Sequence, residues 1–587
     1  MIRRARRRAV FILAVICGLL LVLQGRLFFL QVLRHRPFSQ NVVYRWFEVS
    51  EAGLRGKVVD RNGGVIARSM PCYEVYAWVP GIKDRRELAR GVFRLTGADP
   101  DGLVEAMRRD PWTRVAQDVR DPAILAGFRE LAKDRRFRNL HLEATPVRIY
   151  PRGDLFSPVL GMTDWRDQGV SGLEQMFNDW LVPRAGLRKV QRDSRRTEMM
   201  DLGLLFEPAE AGETLCLTLD PILQQMAERS LEELIDRVSA RSAFAIVAEI
   251  CSGEILALAQ RPAPRSGRPE IAGENALDSY RCSALQDNYR PGSTIKPLLL
   301  SLVLDRGGAT LDEVIDCEHG YHRFGSRIVH DVDGGYGLLS IPEVLIKSSN
   351  IGMAKLVCRL VPADAKKGDP AFGVVRDHLL GMGFGSPVLG FPAEEVGILT
   401  DLLKCDRNHT LVSWSFGHEV AVTGVQMLNA VRMLINDGIR TPLCLVKSPV
   451  GVGLQAAAEP QRVISEETSR SLREILVRVI EQGGSKKYRP PGYGMGGKTG
   501  TADKEEDRNL KTSSMYVFAP ALEPDIVVLM VADDPESGRF SSQIVGPTLC
   551  PLVGEILRHR GVPPDRPEEL SVVASQWSSE PNVASPQ

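Results

Sequence analysis

The sequence predicts an α+β protein: an antiparallel sheet with helices packed on it, preceded by an elongated, mostly β pedestal domain and one N-terminal transmembrane helix. Three observations lead there. Arg3, Arg4, Arg6, Arg7 and Arg8 precede an uncharged run of 17 residues, 9–25. Apolar, strand-like runs stand at both ends of one long stretch, at 245–258 and 514–531, with helical and mixed segments between; strands that bracket helices in this way make a layered α+β domain. Ahead of that stretch, roughly 200 residues of mixed pattern hold no cluster of catalytic side chains.

The elements follow in chain order. Residues 1–8 form a basic tail and 9–30 a membrane anchor. As helix, the uncharged run is about 25 Å long, near the lower limit for crossing hydrocarbon. Arg26 can snorkel to the interface while Leu27-Phe28-Phe29-Leu30 extends the apolar length. The arginines place the N-terminus in the cytoplasm and the rest of the chain outside it. A cleavable signal peptide is the main competitor, but Gln24-Gly25-Arg26-Leu27-Phe28 has no small-x-small site.

Residues 31–238 read as the pedestal. Asn62-Gly63, between Lys57-Val58-Val59 and Val65-Ile66-Ala67, marks a hairpin. Residues 84–140 have charged, helical periodicity, and Arg148-Ile149-Tyr150-Pro151 and Gly172-Leu173-Glu174 form a third block. An amphipathic helix covers 220–237, with Asp220 as N-cap, Pro221 in the first turn, and Ile222, Met226, Leu231 and Leu234 on its apolar side.

Residues 239–562 form the second domain. It opens on two strands, 245–250 and 254–258, joined at Ser252-Gly253. It ends on strands 514–518 and 526–531 around a turn at 520–525, then a helix over 545–557. The Pro-, Ser- and Glu-rich segment 563–587 reads as a disordered tail. Composition adds limits. A net charge of +1 gives no overall basic field for nucleic acid. Ten cysteines, Cys17 and nine beyond the anchor, include no CxxC pair and read as scattered thiols.

The chemistry lies in three short motifs: Ser293-Thr294-Ile295-Lys296, Ser348-Ser349-Asn350 and Lys498-Thr499-Gly500-Thr501. Each alone is weak; the ordered set is specific. A serine hydroxyl needs a base to become a nucleophile. If a helix starts at Gly292 or Ser293, Lys296 lies one turn on and on the same face, and Pro297 suits the first turn. Lysine titrates near 10.4, so acting as base at neutral pH requires a downward shift of about 3 units, about 4 kcal/mol. Desolvation and a second cation, Lys498, both push that way. Asn350 can hold Lys296 and a substrate amide, and Ser348 can relay a proton to a leaving group. Lys498, with Thr499 and Thr501, can bind a carboxylate, and Gly500 leaves room for an acyl donor along the strand. The N–H groups of Ser293 and Thr501 would form an oxyanion hole.

Cys317, His319, His322 and His330 have a spacing that could supply zinc ligands. One cysteine with histidines is a loose pattern, and 316–331 also reads as a β-ribbon with polar faces, so no metal and no cofactor are assigned. His418, in Ser415-Phe416-Gly417-His418, reads as a structural or rim histidine.

The three motifs together resemble those of serine β-lactamases and penicillin-binding proteins. Over nearly its whole length the chain resembles class B penicillin-binding proteins. Arg55-Gly56, Asp60-Arg61-Asn62-Gly63, Arg148, Tyr150-Pro151 and Gly172-Leu173-Glu174 are similar to that family's pedestal motifs, and 220–228 with Gly253-Glu254-Ile255-Leu256-Ala257 to the lead-in of its transpeptidase domain. Lys347-Ser348-Ser349-Asn350-Ile351-Gly352-Met353-Ala354-Lys355-Leu356 and the Lys-Thr-Gly-Thr form of the third motif look like the division-specific septal enzyme. Val422-Thr423-Gly424-Val425-Gln426 departs from the usual Thr-Pro-Leu-Gln.

The resemblance implies a penicillin-binding transpeptidase fold and a peptidoglycan D,D-transpeptidase. Ser293 would attack the penultimate carbonyl of a stem peptide ending in D-Ala-D-Ala, and β-lactams would inhibit. The catalytic set would be Ser293, Lys296, Ser348 and Asn350, and the substrate-binding set Lys498, Thr499, Gly500 and Thr501. It also implies a single-pass protein of the bacterial cytoplasmic (inner) membrane, its catalytic domain in the periplasm or outside the membrane, beside a multi-pass glycan polymerase and other divisome proteins. Alternatives are the elongation-specific class B enzyme, a catalytically silent divisome scaffold and a serine β-lactamase. No glycosyltransferase signature such as Glu-Asp-x-x-Phe occurs in 31–240.

Overall fold

The computed structural model describes residues 2–33, 46–51, 53–137, 139–164, 166–191, 205–263, 281–332, 334–448, 459–504 and 510–570. They divide into two compact units, Met1–Gly56 with Val182–Glu213, and Lys57–Leu181 with Thr214–Gln587. In the first unit, helix α1 (Ile2–Phe28) runs on in a π-helical turn to Leu33, and β1 (Trp46–Glu51) lies in a three-stranded sheet. The most apolar 18 residues within Arg6–Leu33 have a mean hydropathy of 2.4 and none of them is buried, as suits a single-pass membrane anchor.

The second unit begins with a pedestal sheet. Strands β2 (Val58–Val59) and β3 (Val65–Trp78) form the expected hairpin, with Gly63 at φ 84° and Asp60 Oδ1 accepting from the N–H of Asn62 and Gly64. β3 pairs with β4 (Trp112–Val119) on one edge and with β5 (Leu140–Ile149) on the other. Helices α2 (Arg85–Thr96), α3 (Pro100–Arg109) and α4 (Pro122–Lys133) supply the helical part of 84–140 and close a core around Val75, Leu88, Val92, Val115 and Phe128. β6 (Gly186–Gln191) and β7 (Leu205–Glu207) belong to the first unit's sheet beside β1. β8 (Leu215–Leu217) runs parallel to β2 and also pairs with a strand more than 200 residues further along the chain.

Two pedestal motifs meet. Arg148 Nε on β5 donates to Glu174 Oε1 at 2.7 Å, with both side chains at most 2% exposed. A buried pair of this kind is costly to break from one side, which gives Gly172-Leu173-Glu174 a structural reason. Arg61, from the β2–β3 turn, reaches Glu254 of the second domain at 3.2 Å.

Helix α5 (Pro221–Val238) is capped by Asp220, which accepts from the N–H of Ile222 and Leu223. Its buried stripe is Leu223, Ala227, Leu231, Leu234 and Val238; Ile222, expected on the apolar side, is exposed because the cap turns it outward. α5 shares a core with β9 (Ser242–Glu249) and β10 (Ile255–Arg261), so the boundary at 238/239 separates a helix from the sheet it covers.

The catalytic sheet has the order β10-β9-β16-β15-β14, all antiparallel, with β14 (Gly496–Asp503), β15 (Lys511–Ala519) and β16 (Ile526–Asp533) arriving last in the chain. Its strands alternate between two cores. Ile246, Tyr516, Phe518 and Leu529 face one, with helices α6 (Lys296–Asp305), α7 (Asn350–Cys358), α8 (Gly424–Ile435) and α9 (Glu466–Gln482); Ala245, Met515, Val517 and Val528 face the other. Coverage on both faces explains why these strands read as nearly continuous apolar runs. Within the departure at 422–426, Thr423 and Gln426 form a capping box on α8.

A ribbon of β11 (Tyr321–Phe324) and β12 (Arg327–His330) stands in the segment that offered zinc ligands. Strand β13 (Val446–Ser448) crosses from this domain to pair with β8 of the pedestal sheet. Helices α10 (Ser541–Ile544) and α11 (Gly546–His559) follow β16.

One expectation needs correction here. Residues 563–570 are not a loose tail: Glu569 pairs with Arg489 at 2.6 Å, and Asp565 accepts from the N–H of Gly494 and Ala521. Backbone donors at a strand end and a half-buried arginine give this acidic segment partners that composition does not reveal. The remainder, 571–587, lies outside the described residues. No disulfide forms; all ten cysteines are free thiols.

Candidate active site

The three motifs converge on one cleft from three kinds of element. Gly292–Ile295 is a 3-10 turn leading into α6, so the α-helix starts at Lys296, slightly later than expected. A 3-10 turn has three residues per turn, which aligns side chains i and i+3, here Ser293 and Lys296. The second motif lies where the short helix Ile341–Ile346 breaks before α7; Ser348 takes φ 57°, rare for a residue with a side chain, and so swings its hydroxyl into the cleft. The third motif is edge strand β14.

Ser293, Ser348, Asn350, Thr499 and Thr501 line a cavity of about 1270 Å³. Lys296 and Lys498 stand behind them, 0% and 2% exposed. Lys296 Nζ donates to Ser348 O (2.6 Å), Ser348 Oγ (3.3 Å) and Asn350 Oδ1 (2.7 Å), and among the described residues none of its hydrogen bonds reaches Ser293. Lys498 Nζ donates to the same Ser348 Oγ at 3.1 Å and to Thr499 O at 3.1 Å. Two buried amines therefore flank one hydroxyl. Burial, and then the charge of Lys498, hold Lys296 well below the usual lysine range, with Asp331 opposing; burial alone pushes Lys498 down to about 8.

Gly500 has a different task from the one expected. A Cβ there would lie 2.4 Å from Pro291 O and 2.9 Å from Thr294 Cγ2. It faces the turn that carries Ser293, so its lack of a side chain lets strand and turn touch, and it does not clear a path for substrate.

Two residues outside the motifs support the site. Asp331, at the end of the ribbon, accepts from Asn350 N–H (2.5 Å), Ile351 N–H (3.1 Å) and Ser349 Oγ (2.6 Å), pinning the start of α7. Ser541, on α10, donates to Gly500 O at 2.5 Å and meets Thr501 Oγ1 at 2.7 Å. Neither has a sequence signal; each is brought in by tertiary packing. His418 stands at the cavity rim with its ring 5.1 Å from Phe416, and burial, then Arg290 and Arg327, lower its titration.

The four candidate zinc ligands point to different places. Cys317 Sγ is buried against Ser349 Oγ, the His322 ring packs on Phe324 and the His330 ring on Tyr321, while His319 lies beside Gly337. Among the described residues no three His, Cys, Asp or Glu side chains converge as metal ligands.

The sequence model for the penicillin-binding protein transpeptidase domain matches residues 243–553, and that for the penicillin-binding protein dimerisation domain matches residues 50–217. The chain belongs to the penicillin-binding protein transpeptidase family, in its class B, which carries that dimerisation domain ahead of the catalytic one. It is similar to the probable peptidoglycan D,D-transpeptidase PbpC of Pseudomonas aeruginosa, at 30% identity over 97% of this chain and 99% of the relative. Peptidoglycan D,D-transpeptidase FtsI of Escherichia coli K12 is 26% identical over 94% of this chain and 92% of its own length. The crystal structure of a peptidoglycan synthetase from Bifidobacterium adolescentis has the same fold, with a TM-score of 0.69 at 22% identity, over 89% of this chain and 98% of that one.

Proposed function

We propose that the chain is a serine D,D-transpeptidase that cross-links peptidoglycan stem peptides and is acylated by β-lactams. The observation that carries this is the buried pair of lysines on either side of Ser348 Oγ, behind a cavity lined by Ser293. As the neutral amine, Lys296 keeps its donations to Ser348 O and Asn350 Oδ1 and gives up the longer one to Ser348 Oγ; its freed lone pair takes the proton as Ser293 Oγ bonds to the penultimate carbonyl of a D-Ala-D-Ala stem. The Ser293 and Thr501 N–H groups receive the oxyanion. As the C–N bond breaks, Ser348 passes its proton to the departing D-Ala amine and takes up the one held by Lys296, 3.3 Å away, which returns Lys296 to the neutral amine. Lys498, still charged, holds the terminal carboxylate with Thr499 and Thr501. Asn350 fixes Lys296 through Oδ1 and spends one N–H on His330 O, which leaves the other for a substrate carbonyl. An amine from a second stem then attacks the ester carbonyl, its proton passing to the Lys296–Ser348 pair and on to Ser293 Oγ as the C–O bond breaks.

The test is mass spectrometry after incubation with a labelled penicillin. The adduct should map to Ser293 and vanish in Ser293→Ala. A label elsewhere defeats the proposal, and rapid release of hydrolysed drug favours a β-lactamase.

We place the enzyme in septal wall synthesis, anchored once in the inner membrane with its N-terminus in the cytoplasm, next to a multi-pass glycan polymerase and other divisome proteins. The Lys-Thr-Gly-Thr and Ser-Ser-Asn motifs and the likeness to FtsI support this reading. Depletion should give filaments with blocked septa; round cells would assign it to elongation.

A further inference from the structure

The acyl oxygen receives charge from backbone N–H groups, and a backbone donor is only as good as the orientation of its peptide plane. We infer that Ser541 is a positioning residue for the Thr501 N–H, acting through the Gly500–Thr501 peptide; this rests on the transpeptidase reading above. Ser541 is 1% exposed, and its hydroxyl donates to Gly500 O at 2.5 Å. Ser514 Oγ approaches the same oxygen from β15 at 3.4 Å. In a planar trans peptide the C=O and the following N–H point in opposite directions. Holding Gly500 O toward α10 and β15 therefore turns the Thr501 N–H to the opposite, free edge of β14. That edge faces the turn of Ser293: a Cβ on Gly292 would lie 3.3 Å from Thr501 N and 2.8 Å from Thr501 O. β14 is the last strand of its sheet, and among the described residues no further strand uses that edge.

The bond does two things. It fixes the plane before the oxyanion forms, and it draws electron density to Gly500 O, which strengthens the N–H at the other end of the peptide. Ser541 has one proton. With that proton on Gly500 O, the 2.7 Å contact to Thr501 Oγ1 is donated by Thr501 in the free protein; a substrate carboxylate that draws the threonine proton away leaves the Ser541 bond to Gly500 O in place.

The test uses the full-length chain in detergent, a chromogenic penicillin, and Ser541→Ala beside Ser541→Thr. Losing an oxyanion donor outright costs about 100- to 1000-fold in rate; loosening one costs a part of that, so Ser541→Ala should lower the first-order acylation constant about 10-fold while apparent drug affinity stays within about twofold. The infrared band of the acyl-enzyme ester carbonyl should move to higher wavenumber. Threonine, which keeps the donor, should restore both. If Ser541→Ala does not fold, Ser541→Cys, of similar volume but a weak donor, gives the same comparison. An unchanged rate and carbonyl band in a folded Ser541→Ala or Ser541→Cys protein overturn the inference, as does a slow alanine variant that threonine does not rescue. Failure of the unsubstituted protein to acylate at Ser293 would instead overturn the transpeptidase reading.

Discussion

Gly500→Ala tests how strand β14 and the nucleophile's turn are held together. The new Cβ would meet Pro291 O at 2.4 Å. Carbon and oxygen settle at about 3.3 Å or more, so strand and turn must part by roughly 0.9 Å. The turn has no slack, since the loop behind it touches it too: a Cβ on Gly417 would lie 2.2 Å from Gly292 O. Overpacking of this kind costs about 1–3 kcal/mol of stability. The functional cost is larger, because a misplacement of about 1 Å between reacting groups can cost about 100-fold. The variant should remain folded, melt lower, and show a second-order acylation constant reduced by about 30- to 100-fold. Stopped-flow acylation by a small penicillin and by a bulky cephalosporin separates two explanations. If Gly500 serves the strand–turn contact, both drugs slow equally; if it clears room for substrate, the bulky one suffers far more. Normal acylation of the small penicillin would refute the reasoning.

Three further outcomes follow from the same geometry. The first-order acylation constant should fall as pH drops through the lowered pKa of Lys296, because the protonated amine is no base, while apparent drug affinity should weaken as pH rises past about 8, where Lys498 loses the charge that holds the carboxylate; an acylation profile flat on both sides contradicts these roles. Lys296→Arg should abolish acylation, since a guanidinium stays charged up to about pH 12, and more than about a hundredth of the normal rate would exclude Lys296 as base. Glu174→Ala removes the carboxylate that the buried Arg148 guanidinium donates to, so denaturant unfolding should show a loss of about 3–5 kcal/mol with normal acylation of the folded fraction; a loss in acylation alone would move the pair from support to catalysis.

Local chemistry made much of this molecule legible. Hairpin turns at Asn62-Gly63 and Ser252-Gly253, the Asp220 cap and the strands after the third motif were readable because each depends on neighbours in sequence. The three motifs were readable because their spacing is distinctive. What could not be read was every pairing between distant segments: Arg148 with Glu174, β8 with β13, Glu569 with Arg489, and Asp331 with the start of α7. The reason given for Gly500 failed in the same way, since strand alternation does not say which face meets the Ser293 turn.

The arrangement of the two lysines follows from a conflict. Each would keep its proton in water, and both donate toward one serine oxygen in a place with almost no solvent. Two charges there repel each other and lack hydration, so the low-energy state has one neutral amine and one cation. Their surroundings decide which is which. Lys296 is lowered by both burial and the charge of Lys498, while Lys498 is lowered by burial alone. The amine next to the nucleophile thus becomes the base, and the one on the open strand edge keeps its charge for a carboxylate. Substrate then reinforces the division: a carboxylate at Lys498 stabilises that cation, which further disfavours a second charge on Lys296. The base is therefore most available when its substrate is in place.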